Sequence, residues 1–327
     1  MSIISVQALY KAYRIPKCRR GFLSEIASLV FREHETKIAL DHISFAIEEG
    51  ELVGYIGPNG AGKSTTIKTL SGILVPEEGE VCVLGKNPWK HRIETVRQIG
   101  VVFGQRTQLW WDLQVIESFL LLKAIYRIPE EEYKKTLTLL VDRLDLAKLL
   151  HVPVRLLSLG QRMRCDLAAS LLHSPKILFL DEPTIGLDAV SKLAVRDFIH
   201  FLNKEQKVTI LLTTHDMDDI EALCQRVLVL SEGKLFLDGS LESLRKKLLP
   251  ERRLVIDLVH ANELVEDVGA KKIRQEGHRV WLSFDPTQTN TPELIARITS
   301  RYAIADLFVE NPPIEEIIAK IYKNNHL

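Results

Sequence analysis

Apolar and polar residues alternate through "ISFAI", and "ELVGYIG" just after it is mostly apolar and runs into a glycine-rich loop. This pattern predicts strands over residues 3–9 and 43–56. Between them, in residues 14–37, a basic start precedes Phe22, Leu23, Ile26, Leu29 and Val30, whose spacing fits one face of an amphipathic helix. Two readings of that helix stand. It packs on its own domain, or it lies at a membrane surface or against a membrane partner.

From residue 63 helix and strand patterns alternate. A helix follows Lys63, "EVCVLG" and "IGVVFG" read as strands, and residues 115–147 read as helical with a break at "RIPEE". The apolar helix of "RLLSLGQRMRCDLAASLL" (residues 155–172) runs into the buried strand "KILFLDEP". A helix over 189–204, the strand "VTILLTTH" and a hairpin "RVLVLSEGKLFLDG" turning on Glu232-Gly233 complete this part. Such alternation predicts a parallel sheet covered by helices. The composition shifts near residue 240, where "SLESLRKKLLPERR" reads as a charged helix and linker. Beyond it lie "RLVIDLV", "KKIRQEG", "RVWLSFD", a helix opened by Thr291-Pro292, "ADLFVEN" and a final helix from Pro313. Two domains are therefore expected, residues 1–240 and a small α+β domain over 241–327.

The composition narrows the class. The 327 residues are 46% hydrophobic and 26% charged, as expected of a globular chain with a real core. The 43 basic and 43 acidic residues cancel, so no nucleic-acid partner is expected. Cys18, Cys82, Cys165 and Cys224 are scattered and form no CxxC pair, which predicts neither a zinc site nor a disulfide framework and fits a reducing cytosol. No apolar run approaches the ~18–20 residues that span a bilayer. The opening "MSIISVQALYKAYR" has no basic region ahead of an apolar core, so no signal peptide is expected.

The candidate chemistry begins with "GPNGAGKST", residues 57–65, which fits GxxxxGK[ST] between a strand and a helix. Its glycines let successive N–H groups curl around phosphate oxygens, and the following helix adds its positive end. Lys63 is expected on the β- and γ-phosphates and the Ser64 hydroxyl on Mg²⁺. "ILFLDEP" ends an apolar strand in two acids. Asp181 is placed to hold Mg²⁺ through water, and Glu182 to polarise an attacking water. Adjacent acids after a strand also occur as ordinary helix-start charge, but the phosphate loop upstream favours the chemical reading. Ser158 with the N–H of Gly160 forms a second anion-binding helix mouth. One phosphate chain does not need two such mouths, whereas two copies facing head to tail would use both.

The order "GPNGAGKST", "GQ" at 104–105, "LSLGQ", "ILFLDEP", "GLD" and "TTHD" resembles the ATP-binding subunits of ABC transporters over residues ~1–240. The resemblance implies an α/β fold: a P-loop, RecA-like ATPase core with an antiparallel β subdomain and a helical insert over about 106–172. It implies ATP and Mg²⁺ held between two copies of the chain, with "LSLGQ" of one closing over "GPNGAGKST" of the other. Nucleotide contacts then fall on Gly57, Asn59, Gly60, Gly62, Lys63, Ser64 and Thr65 of one copy and on Ser158, Gly160 and Gln161 of the other. Tyr13 matches the aromatic that stacks on adenine, with Tyr10 as the alternative. Gln105 matches the glutamine that touches Mg²⁺ and the attacking water. Asp188 matches the loop crossing the dimer interface, and His215 the histidine at the γ-phosphate. Metal contacts are thus implied for Ser64, Gln105 and Asp181, and catalysis for Glu182, His215 and Gln105.

One position departs from that pattern. Leu159 stands where the family usually has glycine, and contact with nucleotide survives if its side chain points away. Adjacent Trp110 and Trp111 lie where the family receives the cytoplasmic helices of its permease, so at least one of them is expected to be an exposed anchor. "VVFGQRTQLWWDL", "EPTIGLD" and the tail "DLFVENPPIEEIIAKIY" resemble the ATPases of bacterial ABC-2-type exporters of the drug-resistance and sodium-extrusion kind. That implies a homodimer, peripheral on the cytoplasmic face of the membrane, serving a separate permease. An importer ATPase shares every catalytic motif and remains an alternative. A soluble relative acting on ribosomes or DNA is a further one, although the paired cores and long coiled coils of such proteins are missing. "NKEQ" at 203–206 lacks the aspartate that would read guanine.

Overall fold

Every residue of β3 (Leu52–Ile56) and β7 (Thr209–Thr213) is buried, as happens when a parallel strand is covered on both faces and loses its in–out alternation. The structure is a computed structural model describing residues 2–16, 34–104, 106–243, 251–261, 264–312 and 316. The chain divides into two compact units, Met1–Gly239 and Ser240–Leu327.

The first unit holds a six-stranded sheet. Its order is β5 (Ile99–Phe103), β6 (Ile177–Asp181), β7, β3, β8 (Arg226–Ser231) and β9 (Lys234–Ser240). From β5 to β8 all pairings are parallel, with Leu52 opposite Ile210, Val53 opposite Arg226 and Ile99 opposite Ile177. Parallel neighbours need crossovers, and helices supply them. Among these are α1 (Lys63–Leu70), α2 (Arg92–Val96), α3 (Val115–Tyr126), α4 (Glu130–Arg143), α5 (Leu159–Leu171), α6 (Ala189–Lys204) and α7 (Met217–Leu223). Tyr55 and Asp181 both lie level with Thr213, so the loops leaving β3, β6 and β7 emerge side by side at the carboxyl end of the sheet. That is where open α/β sheets place their ligands. The turn joining β8 to β9 uses Glu232 at φ 47° and Gly233 at φ 79°, the left-handed pair of a tight hairpin.

A second, antiparallel sheet in this unit has the order β2 (His34–Glu48), β1 (Ser2–Pro16), β4 (Glu78–Val83). Here the structure corrects two expectations. The predicted strand over 43–56 is two strands, β2 and β3, parted at Glu49-Gly50, where Gly50 adopts φ 78°. The predicted helix over 14–37 is strand at both ends, because β1 and β2 stay paired from Ser2↔Glu48 to Pro16↔His34. Its apolar stripe, Phe22 to Val30, lies outside the described residues. The helical insert is α3, α4, a 3₁₀ turn at Val154–Leu156 and α5. The break at "RIPEE" falls where Arg127 takes φ 55° to end α3.

The second unit is an antiparallel sheet in the order β11 (Lys271–Glu276), β12 (Arg279–Phe284), β10 (Arg252–Leu258), β13 (Ile304–Glu310). Leu254, Ile256 and Leu258 alternate along β10, and Val280, Leu282 and Phe284 along β12. They bury one face against Leu294 and Ile298 of α8 (Thr291–Arg301). Of the final helix expected from Pro313, only Glu316 falls among the described residues. Among the described residues no helix is long and apolar enough to cross a membrane.

Candidate active site

The loop between β3 and α1 is shaped by what glycine permits. Gly60 and Gly62 adopt φ 85° and 111°. A Cβ on Gly62 would lie 2.4 Å from the carbonyl oxygen of Ala39, and one on Gly57 2.5 Å from that of Leu230. The loop is thus clamped between β2 and β8, and the β8–β9 turn donates from Gly233 N to Ala61 O at 3.1 Å. α1 begins at Lys63 directly behind it, so its first N–H groups face the loop's concave side.

Lys63 is buried (6% exposed), and its ammonium donates to Gly57 O at 2.7 Å and Pro58 O at 3.1 Å. Burial pulls its pKa below the ordinary lysine value, against the opposing pull of Glu182 and Asp181. Both acids therefore lie near the Lys63 ammonium. A cleft of about 270 Å³ is lined by Tyr13, Lys37, Ala39, Asn59, Gly60, Gly62, Lys63, Ser64, Thr65 and Glu182. One cleft thus gathers most of the nucleotide residues expected from sequence. Tyr10 does not line it; its ring packs 5.0 Å from that of His42.

At the neighbouring strand ends, Thr213 Oγ1 donates to Asp181 Oδ1 at 2.5 Å. Glu182 adopts φ 55°, a left-handed backbone unusual for a residue with a side chain, and its N–H donates to Thr213 O at 2.9 Å. His215 Nδ1 stands 3.3 Å from Glu182 Oε1. Gln105 lies outside the described residues. Its neighbour Gly104 donates from N to Asp181 O at 2.7 Å.

Ser158, Gly160, Gln161 and Asp188 do not line this cleft. They form a second place in the same unit. Ser158 caps α5 by accepting from Gln161 N at 3.2 Å, while Gln161 Oε1 accepts from Ser158 N at 3.0 Å, a reciprocal capping box. Asp188 caps α6, accepting from Ser191 N at 2.8 Å, and that bond holds its carboxyl below the usual range. The two helix starts touch, for a Cβ on Gly160 would lie 2.6 Å from Ser191 Oγ.

Trp110 and Trp111 are both exposed, 39% and 51%, and neither is core. The Arg162 guanidinium sits 5.5 Å from the Trp111 ring. On α3, Leu121 and Ile125, one turn apart, are exposed as well.

The family model described as ABC transporter matches residues 40–185. The ABC transporter ATP-binding protein NatA of Bacillus subtilis (strain 168) is 34% identical over 230 residues, 70% of this chain and 92% of that protein. The chain belongs to the ATP-binding proteins of ABC transporters. The bacitracin transport ATP-binding protein BcrA of Bacillus licheniformis is 30% identical over 84% of this chain and 85% of its own length. A dimeric ATP-binding cassette solved in a post-hydrolysis state with ADP and Pi superposes with TM-score 0.60 at 26% identity. That match covers 73% of this chain and 98% of the cassette. The chain is accordingly an ATP-binding ABC ATPase.

Sequence reasoning missed four residues here. Lys37 and Ala39 reach the cleft because β2 runs on past Ala39 to pair Lys37 with Tyr13. Their i, i+2 spacing was the available signal. Thr213 and Ser191 act through contacts made only in three dimensions, and no local pattern marks them.

Proposed function

We propose that the chain is the ATP-hydrolysing subunit of a bacterial ABC-2-type exporter, working as a pair of identical chains that drive a separate integral-membrane permease. One observation carries the pairing. The phosphate loop, Tyr13 and Glu182 share a cleft, whereas the capped helix mouth at Ser158 and Gly160 lies outside it. A second copy, turned head to tail, would bring its mouth to the open side of the γ-phosphate. The likeness to a bacitracin transport ATP-binding protein supports a role in transport.

In this reading water attacks the γ-phosphorus in line, an O–P bond forms, and the bridging oxygen leaves with ADP. Glu182 orients the water and draws on its proton, and His215, 3.3 Å away, faces the γ-phosphate beside it. Lys63 leaves the loop carbonyls for phosphate oxygens, where its charge offsets that of the transition state. Tyr13 takes the adenine ring. Ser64 and Asp181 fit Mg²⁺, since a hydroxyl and a carboxylate are the hard oxygen donors that Mg²⁺ takes alongside substrate phosphates. Gln105 would add a third oxygen. When bound, the ion would neutralise phosphate charge. Closure on ATP and reopening after hydrolysis would reach the permease through Trp110 and Trp111, exposed apolar anchors of the kind that dominate interfaces. The chain would then sit on the cytoplasmic face of the membrane, held by its permease.

The test is a tagged Glu182→Gln chain, trapped with ATP and Mg²⁺ and drawn from gently solubilised cells. Recovery of a dimer with a polytopic membrane protein is the expected result. Recovery with ribosomes or DNA and no membrane protein would refute the transporter reading.

A further inference from the structure

The loops that present Glu182 and His215 leave different strands, yet both are tied to one carboxylate. Asp219 lies in the first turn of α7, four residues past His215, and is fully buried. Its Oδ2 accepts from the hydroxyl of Thr184, two residues past Glu182, and from that of Thr214, the residue before His215, at 3.4 Å. Its Oδ1 accepts from Arg196 Nε of α6 at 2.5 Å. Both threonines are 2% exposed. Thr214 Oγ1 in turn accepts from Asp216 N at 3.0 Å, and Asp216 pairs with Lys192 Nζ at 2.5 Å.

We propose that Asp219 is a positioning residue that fixes the loops carrying Glu182 and His215 relative to each other, through the hydroxyls of Thr184 and Thr214. A buried charge is costly unless paired and hydrogen-bonded, and here Arg196 and the two hydroxyls meet that requirement. Once paired, the carboxylate is a fixed point, because two helices and two strand-end loops converge on it. Glu182 needs such a fixed point. Its φ of 55° is a conformation that surrounding structure must hold. The 3.3 Å approach of His215 to Glu182 then follows from the spacing of two threonines around a single carboxylate. The inference rests on the proposed roles of Glu182 and His215. It adds a residue that touches neither substrate nor metal.

The experiment uses the full chain. Thr184→Val and Thr214→Val each remove one hydroxyl and keep the shape, and Thr184→Ser restores a hydroxyl. ATP turnover, ATP affinity and thermal midpoint are measured for each, beside Glu182→Gln. The expected result, read at a temperature where every variant is folded, is a fall in turnover of at least tenfold for each valine variant with ATP affinity near that of the parent. The thermal midpoint should drop, because each valine leaves the buried Asp219 carboxylate one hydrogen bond short. Thr184→Ser should turn over within about twofold of the parent. Equal losses in Thr184→Val and Thr184→Ser, or valine variants hydrolysing at the parent rate, would overturn the proposal. A Glu182→Gln chain that hydrolyses normally would instead overturn the catalytic reading on which it rests.

Discussion

The side chain of Leu159 lies over Gly186: a Cβ built on Gly186 would stand 2.8 Å from Leu159 Cδ2. The leucine that occupies the usual glycine position of the signature motif is therefore packed on the "GLD" loop of its own chain. Gly186 takes φ 70°, so it is glycine for backbone reasons as well as for this contact. Gly186→Ala should lower the thermal midpoint by several degrees, since left-handed strain of about 1–2 kcal/mol adds to the contact with Leu159. Adding Leu159→Gly should recover the contact part of that loss, a coupling of about 0.5–1 kcal/mol. Leu159→Gly alone should hydrolyse ATP within about threefold of the parent rate. Strictly additive midpoints would show that the two residues do not share the contact, and a large rise in turnover would show that Leu159 restrains closure.

Gly104 meets Glu182 more closely still. A Cβ on Gly104 would lie 2.1 Å from the carbonyl oxygen of Glu182, and backbone on both sides leaves nothing flexible to yield. Gly104→Ala must therefore displace either the segment that carries Gln105 or the turn that carries Glu182. Single-turnover hydrolysis should fall at least tenfold. ATP affinity should stay within about twofold, because the phosphate loop is untouched. Normal hydrolysis by this variant would separate the Gly104 contact from the placing of Glu182.

These two contacts mark where the sequence stopped being informative. Strands and helices with strong periodicity were legible: "ILFLD" is β6 and the helix expected over 189–204 is α6. The loop between β3 and α1 was legible because its glycines and the lysine sit in one contiguous motif. The length of β1 and β2 was not, since residues 14–16 and 34–37 become strand only by pairing with each other. Nor was the crowding at Gly104, Gly186 and Asp219, where the partners lie on different elements and no local spacing records the approach.

Asp166 offers a test by pH. It is buried in α5 and accepts from Thr107 Oγ1 at 2.8 Å and Gln108 N at 3.0 Å, just past Gln105. Burial outweighs these bonds and pushes its carboxyl up to about 6, above the ordinary aspartate value of 3.8. A folded-state pKa above the unfolded one means the folded chain binds the extra proton between those values. The contribution of Asp166 to stability is thus fullest below the unfolded value and is lost as pH rises through about 6. Asp166→Asn keeps an acceptor and removes the charge. At pH 8 it should melt about 2–4 °C above the parent, for a gain of about 1 kcal/mol. The difference should narrow below pH 6 and vanish towards pH 4. A constant difference across that range would show that Asp166 does not titrate as its burial implies.

Tyr13 and Lys37 are paired across β1 and β2 and both line the cleft, with Lys11 Nζ 5.7 Å from the Tyr13 ring. An aromatic that stacks on a base contributes about 1–3 kcal/mol by alanine substitution. At a site where Tyr13 remains 37% exposed the lower end applies. Tyr13→Ala should therefore raise the KM for ATP about fivefold and leave kcat nearly unchanged, while Tyr13→Phe should match the parent. Tyr10→Ala should also match the parent, because its ring packs on His42 away from the cleft. Lys37 is a charge on the rim, so Lys37→Ala should weaken ATP binding about twofold at low salt and less at high salt, as screening removes what the charge supplied. A KM unmoved by Tyr13→Ala and raised by Tyr10→Ala would transfer the adenine contact to Tyr10 and require β1 to shift its register against β2 when ATP binds.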